Sequence, residues 1–146
     1  RDVTLVLAGP QGWNEDLTAR LGRLGDRVRA VGFVDSDTLR ALHAGADVFC
    51  YPSREEGFGL PVLEAMAQGT AVVTSSGTAT AEVAGDAGVL VDPADVAGLA
   101  AALALLLDDD HERRRLGAAG QARAAERFTW KATADALSAV YAEAAP

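Results

Sequence analysis

Apolar and polar positions alternate in short blocks over the first ninety residues. Thr4-Leu-Val-Leu-Ala8 is an apolar run closed by Gly9-Pro10, the pattern of a strand buried on both faces and followed by a turn. Asn14 stands as a cap ahead of Leu17, Leu21 and Leu24, spaced by four and three, and Gly25 lies just past them; this predicts a helix. The pattern then repeats. Val28 to Val34 is strand-like, Asp35 or Ser36 caps a helix through Leu39 and Leu42, and Asp47 to Tyr51 is another apolar run. Pro61 to Gln68 predicts a helix, Thr70 to Thr74 a strand, Thr80 to Ala84 a short helix and Gly88 to Val91 a last strand. Strands alternating with helices need crossover connections, so the predicted class is α/β, a mainly parallel sheet with helices on both faces.

After Pro93 the periodicity is helical throughout. Asp95 caps a helix to Leu107, a second runs from about Asp110 to Arg127, and Thr129 caps a third from Trp130 to Tyr141. No repeat, low-complexity tract or linker divides the 146 residues, which read as one domain.

Composition narrows the function. Apolar residues make up 49% and charged residues 23%, too hydrophobic for intrinsic disorder. No apolar run reaches the roughly eighteen residues of a membrane span. Thirteen Lys and Arg against twenty-one Asp and Glu give a formal charge of -8, which opposes general attraction to nucleic acid or anionic lipid. Any phosphate must therefore be held locally. The chain begins at Arg1 with no targeting segment, which reads as a fragment or a processed chain.

Familiar phosphate and metal motifs are missing. The sole lysine, Lys131, lies in the last helix and excludes a P-loop. Gly9-Pro-Gln-Gly-Trp13 has the wrong spacing for a dinucleotide fingerprint. No acidic residues end the first strand, as a phospho-receiver domain requires. His43 and His111 sit in separate helices and share no metal-binding spacing. Cys50, the single cysteine, rules out an internal disulfide; inside an apolar strand it reads as an inert buried thiol.

The densest information is Pro52-Ser-Arg-Glu-Glu-Gly-Phe-Gly-Leu-Pro-Val-Leu-Glu-Ala-Met-Ala-Gln-Gly69. It starts where the Cys50 strand ends, the edge at which open α/β sheets bind ligands. Gly57 and Gly59 free the backbone for close approach, and Pro61 suits a helix's first turn. That helix N-terminus offers free amides and a positive dipole end, able to hold a diphosphate without a cluster of basic side chains. Glu56 precedes the glycines and Glu64 is expected in the helix's first turn, so both carboxylates border one volume and accept hydroxyl donors. With eight glutamates in the chain, a pair at this spacing arises readily by chance, and a first-turn glutamate is also an ordinary helix stabiliser.

Glu56-Gly-Phe-Gly-Leu-Pro-Val-Leu-Glu-Ala-Met-Ala67, with Gly69-Thr-Ala-Val-Val-Thr74 and Gly85-Asp-Ala-Gly-Val-Leu-Val-Asp-Pro93, closely resembles glycosyltransferase family 4. These are retaining enzymes of the GT-B architecture, built from two Rossmann-like domains. The resemblance runs from Leu5 to the helix after Phe128-Thr-Trp130 and implies the C-terminal, nucleotide-sugar-binding domain. It implies that Glu56 contacts donor-sugar hydroxyls as the catalytic-site carboxylate. Backbone amides of Gly57, Phe58, Gly59 and Leu60 would meet the sugar or diphosphate. Glu64 would bind the ribose hydroxyls, and the backbone of Val34 the base. The donor is then the substrate, with no cofactor and no metal, and the full-length protein is a cytoplasmic hexosyltransferase. Any membrane association would be carried by a separate acceptor-binding domain.

The chain also departs from that pattern. The family's domain opens with a further strand and helix carrying an arginine and a lysine that neutralise the diphosphate, and this chain begins after them. Without them the isolated chain is expected to be inactive or nearly so. Arg54 is either a stand-in cation or a solvated arginine beside Glu55 and Glu56. Thr78-Ala-Thr-Ala-Glu82 lacks the proline often found before the glutamate. Trp13 either lines the site or packs in its loop, and Arg113-Arg-Arg115 reads as charge compensation for Asp108-Asp-Asp110. A non-catalytic nucleotide-sugar-binding or scaffold domain and a sugar-nucleotide epimerase are the alternatives.

Overall fold

The computed structural model describes residues 2–10 and 21–144. The chain divides into two compact units, Arg1–Ala41 and Leu42–Pro146. In the first, β1 (Leu5–Ala8) pairs in parallel with β2 (Val28–Gly32), Leu5 opposite Val28 and Leu7 opposite Ala30. A 3-10 stretch over Gly22–Arg27 precedes β2, and its Gly25, at φ +57°, turns the chain where the sequence places a helix stop. The expected cap Asn14, Leu17 and Trp13 lie outside the described residues. Strand β2 ends at Gly32 (φ +68°), two residues short of the expected Val34.

One expectation fails here. Strand β1 is not buried on both faces: Leu5 is 47% and Val6 40% exposed. A strand is covered on both faces only where layers pack on each side, and β1's extensive packing among the described residues of this unit is its ladder with β2. Helix α1 (Ser36–Gly45) follows. Its cap is Asp35 rather than Ser36, because Asp35 Oδ1 accepts a hydrogen bond from the Thr38 amide at 2.7 Å; that bond holds the Asp35 carboxyl below its ordinary value.

The second unit carries the site. Strands β3 (Val48–Tyr51), β4 (Ala71–Ser75) and β5 (Gly88–Val91) lie in that order, all parallel, with Cys50 opposite Val73 and Val73 opposite Val89. Helix α2 (Leu60–Ala67) connects β3 to β4; α3 (Ala79–Ala84) and a 3-10 turn over Gly85–Ala87 connect β4 to β5. Helices α4 (Val96–Asp108), α5 (Asp110–Arg127) and α6 (Trp130–Ala144) complete the order. Asp95, Asp109 and Thr129 cap them through the amides of Gly98, Glu112 and Ala132 at 2.9, 2.9 and 3.1 Å. No helix among the described residues is long and apolar enough to cross a membrane.

Strand β4 organises this unit because every one of its residues is buried. Its side chains alternate between two cores. Val72 joins Val62, Ala65 and Met66 of α2 and Val83 and Ala84 of α3. Ala71 and Val73 join Val91, Leu106 of α4 and Leu116 of α5. Helices thus cover both faces, and each fully buried side chain such as Val62, Met66 or Leu106 contributes about 1.5–3 kcal/mol.

Glycine, the poorest helix former after proline, sits inside α5 at Gly117 and Gly120. The reason is contact. A Cβ on Gly117 would land on the Gly69 carbonyl oxygen, and one on Gly120 would lie 3.3 Å from Met66 Cγ. Alanine normally gains about 1 kcal/mol over glycine in a helix, yet Gly117→Ala must push α5 off the backbone of the α2–β4 turn. We expect this variant to lower the urea midpoint, measured by circular dichroism; a raised midpoint would show that α5 has room to move.

His43, in the last turn of α1, is 5% exposed and meets Phe49 edge-on at 5.0 Å. Its carbonyl accepts the Thr70 hydroxyl at 2.6 Å. Burial pushes the imidazole below its ordinary value of 6.5, against a smaller opposing pull from the Glu64 charge. The neutral ring is therefore the folded form. As pH falls through 6.5 the unfolded chain binds this proton before the folded chain does, so stability drops. The urea midpoint should fall between pH 7.5 and 5.5, and His43→Phe should flatten that dependence; equal slopes in both proteins would contradict it.

Candidate functional site

The segment Pro52 to Gly59 leaves the carboxyl end of β3 and enters α2. Its first anchor is Tyr51, the last residue of β3, whose ring stacks on Phe49 with centroids 6.1 Å apart. The Tyr51 hydroxyl donates to Glu56 Oε2 at 2.9 Å, and the Gly57 amide donates to Glu56 Oε1 at 3.1 Å. The Tyr51 bond, then the amides of Phe58, Gly57 and Gly59, hold the Glu56 carboxyl below its ordinary value against a partial desolvation penalty. Burial first, and then Glu56, push the Tyr51 phenol up. Glu56 is thus an oriented anion and Tyr51 a protonated donor.

The turn closes on Gly59. This residue is buried, caps α2 and has φ +101°, in the region that favours glycine. Its absent side chain also makes room: a Cβ there would lie 3.0 Å from Thr80 Cγ2 and 3.3 Å from Thr80 Cα. Gly57 differs. Its φ is not positive and nothing lies within 4 Å of its Cβ position, so its small size leaves open space beside the amide. Phe58 meets Phe128 edge-on at 6.1 Å, and Leu60 is 58% exposed at the start of α2.

Behind the turn lies a group of hydroxyls. Thr74 Oγ1 is 2.8 Å from the Tyr51 carbonyl and 2.8 Å from Thr80 Oγ1, which is 2.7 Å from Thr78 Oγ1. Thr74 and Thr80 are fully buried. Residues Glu56 to Leu60 are therefore brought together with Tyr51, Thr74 and Thr80, three residues the sequence pattern did not single out. A tyrosine ending a strand and a threonine inside one look like ordinary β-formers, and Thr80, at the start of a short helix, carries no signal of its own.

Glu64 requires a correction. It is not in the first turn of α2, which holds no acidic residue. Helix α2 begins at Leu60, one residue before Pro61, so Pro61 is its second residue and Glu64 its fifth. Glu64 is exposed, and its charge reaches His43. Val34 belongs to the first unit, half-buried after exposed Phe33. Arg54 is exposed. Cys50 is a free thiol pushed up by burial, consistent with an inert role. Arg113 bonds the Leu106 carbonyl at 2.7 Å and pairs with Asp110 and Asp47, while Arg115 pairs with Glu112 at 2.7 Å; the arginine run compensates local charge.

A polar hollow of about 230 Å³ lies at the opposite, amino-terminal edge of β3 and β4, lined by Asp47, Thr70, Asp110 and Arg113 among others. Its two arginines, Arg113 and Arg114, both pair with Asp110. Among the described residues no three His, Cys, Asp or Glu side chains gather as metal ligands would.

Comparison with known proteins places this arrangement in a family. The MMP alpha-(1→4)-mannosyltransferase of Mycolicibacterium hassiacum is 46% identical over 150 residues, covering 99% of this chain and 36% of that protein. The structure of sucrose-phosphate synthase from Thermosynechococcus elongatus superposes with a TM-score of 0.82 at 32% identity, over 96% of this chain and 38% of the other. Anabaena HepE in complex with UDP-glucose superposes with a TM-score of 0.80 at 27% identity, over 94% and 41%. The chain thus spans little more than a third of the length of these relatives. The family model described as glycosyl transferases group 1 matches residues 1–109. With its parallel α/β fold, the chain belongs to the glycosyl transferases group 1 family.

Proposed function

We propose that the chain is the nucleotide-sugar-binding part of a retaining hexosyltransferase. The observation that carries this reading is the Glu56–Leu60 turn, where an oriented carboxylate and a run of backbone amides stand together at the carboxyl end of a parallel strand. Amides and a helix N-terminus suit a diphosphate in a chain of net charge -8. The carboxylate suits the hydroxyls of a hexose. That HepE was solved with UDP-glucose supports the same ligand class here. Glu56 is the residue proposed to touch the donor sugar, Gly57 to Leu60 the sugar or diphosphate, Glu64 the ribose and Val34 the base through its backbone. No metal is proposed at the site. The acceptor belongs to a separate domain, and the full-length enzyme is proposed to act in the cytoplasm.

Transfer requires the diphosphate to leave, and fixed positive charge at that group stabilises the transition state. Within this chain the candidates are the turn amides and exposed Arg54. Residues 1–146 alone are therefore expected to release no sugar from a donor in a coupled nucleotide-release assay, whereas the full-length protein does. Titration of the full-length protein with UDP-, GDP- and ADP-sugars identifies the base. Glu64→Ala should weaken binding of the preferred donor roughly ten- to hundredfold, the worth of hydrogen bonds to a charged group. Unchanged affinity in calorimetry would remove the ribose role.

A further inference from the structure

Glu56 is the carboxylate on which the proposed donor contact rests, and a glutamate side chain on a loop has three free torsions, two of them with staggered positions to choose among. Something must choose among them. The loop itself supplies backbone amides, that of Gly57 at 3.1 Å from Oε1 together with those of Phe58 and Gly59. A further restraint comes from the sheet: the Tyr51 hydroxyl reaches Oε2 at 2.9 Å from a half-buried ring that stacks on Phe49 and packs against the α2–α3 core. Resting on the above reading of Glu56, we propose that Tyr51 is a positioning residue, whose hydroxyl fixes the rotamer of Glu56 so that its remaining lone pairs face the donor sugar.

The geometry of the carboxylate supports this division of labour. An ionised carboxylate accepts about four hydrogen bonds, two on each oxygen. Tyr51 bonds Oε2 and Gly57 bonds Oε1, and the amides of Phe58 and Gly59 also face the carboxylate; a sugar hydroxyl takes an acceptor position that these bonds leave. The phenol is suited to the task because its position follows from the packed ring and it remains a donor. Loss of the Tyr51 hydroxyl leaves that ring, its stacking partner and the fold in place. The groups that govern Glu56's ionisation are the Tyr51 hydroxyl and the amides of residues 57, 58 and 59, and no charged side chain is among them. Removing the phenol therefore lets the Glu56 carboxyl titrate at a higher pH.

The test uses the full-length protein and two matched pairs of probes, UDP-glucose with UDP and GDP-mannose with GDP. Calorimetry of Tyr51→Phe should show the bound nucleotide sugar weakened roughly five- to tenfold, about one net hydrogen bond, with the matching free diphosphate unchanged within about twofold. The acid limb of nucleotide-sugar binding should also move to higher pH, because the folded pKa of Glu56 rises and its charge is lost sooner as pH falls. Glu56→Ala should show the same selectivity and a larger loss. If Glu56→Ala is selective but Tyr51→Phe matches the parent, Tyr51 does not position Glu56 and the donor-sugar role of Glu56 stands. Equal weakening of sugar and diphosphate by Tyr51→Phe shows a structural role only and overturns the inference. If neither pair binds, or Glu56→Ala leaves both members of the bound pair unchanged, the reading of Glu56 falls and the inference with it.

Discussion

A site made of backbone amides depends on the path of the backbone, because no rotamer change can bring a misplaced amide back to its ligand. In this chain that path is fixed at both ends of one loop by buried threonines. Thr74 Oγ1 bonds the carbonyl of Tyr51, where the loop leaves β3. It also bonds Thr80 Oγ1, and Thr80 packs where a side chain on Gly59 would stand, at the loop's other end. The hydroxyls satisfy one another while neutral, so the sheet's carboxyl edge is held without burying charge. Ser75 marks the contrast: its buried Oγ has no hydrogen-bond partner among the described residues, a desolvation cost of about 1–3 kcal/mol.

Electrostatics at this edge follow from the same loop. A chain of charge -8 repels an anion at long range, so the proposed diphosphate contact relies on dipoles within a few ångströms. The amides of residues 57–59 are the dipoles at this edge, and they act on Glu56, helping to hold its carboxyl below its ordinary value. Gly59 is indispensable to that convergence, since its left-handed backbone sets the direction in which α2 departs.

The alternation of strands and helices was legible because parallel strands buried on two faces appear as unbroken apolar runs: β4 and β5 fall within a residue of the expected Thr70–Thr74 and Gly88–Val91. The caps at Asp95 and Thr129 were legible from side-chain chemistry. Glu64 lies beyond the first turn because a proline marks the first turn of a helix without fixing its first residue: Leu60 enters α2 ahead of Pro61 and moves each later residue on by one. Burial of β1 was overestimated, since an apolar run records a preference for being covered and not the layers available to cover it. Tyr51, Thr74 and Thr80 were invisible for a different reason. Their roles arise from side chains 5 to 23 residues apart, in different elements, and no pattern within one element records such a meeting.

The two edges of the β3–β4–β5 sheet divide stability from chemistry. At the amino edge Arg113 ties Asp47 to Asp110 and the Leu106 carbonyl, Thr70 locks onto His43, and α5 meets the Gly69 carbonyl without a side chain between. These contacts join α1, α4 and α5 to the start of β3 and β4. At the carboxyl edge the polar groups are an oriented carboxylate, a phenol and amides. These groups bond one another, the Tyr51 hydroxyl and the Gly57 amide both donating to Glu56. Strand β4 links the two edges as a fully buried rod, so that the precision needed at Gly59 is borrowed from packing along the strand rather than built into the Glu56–Leu60 loop itself.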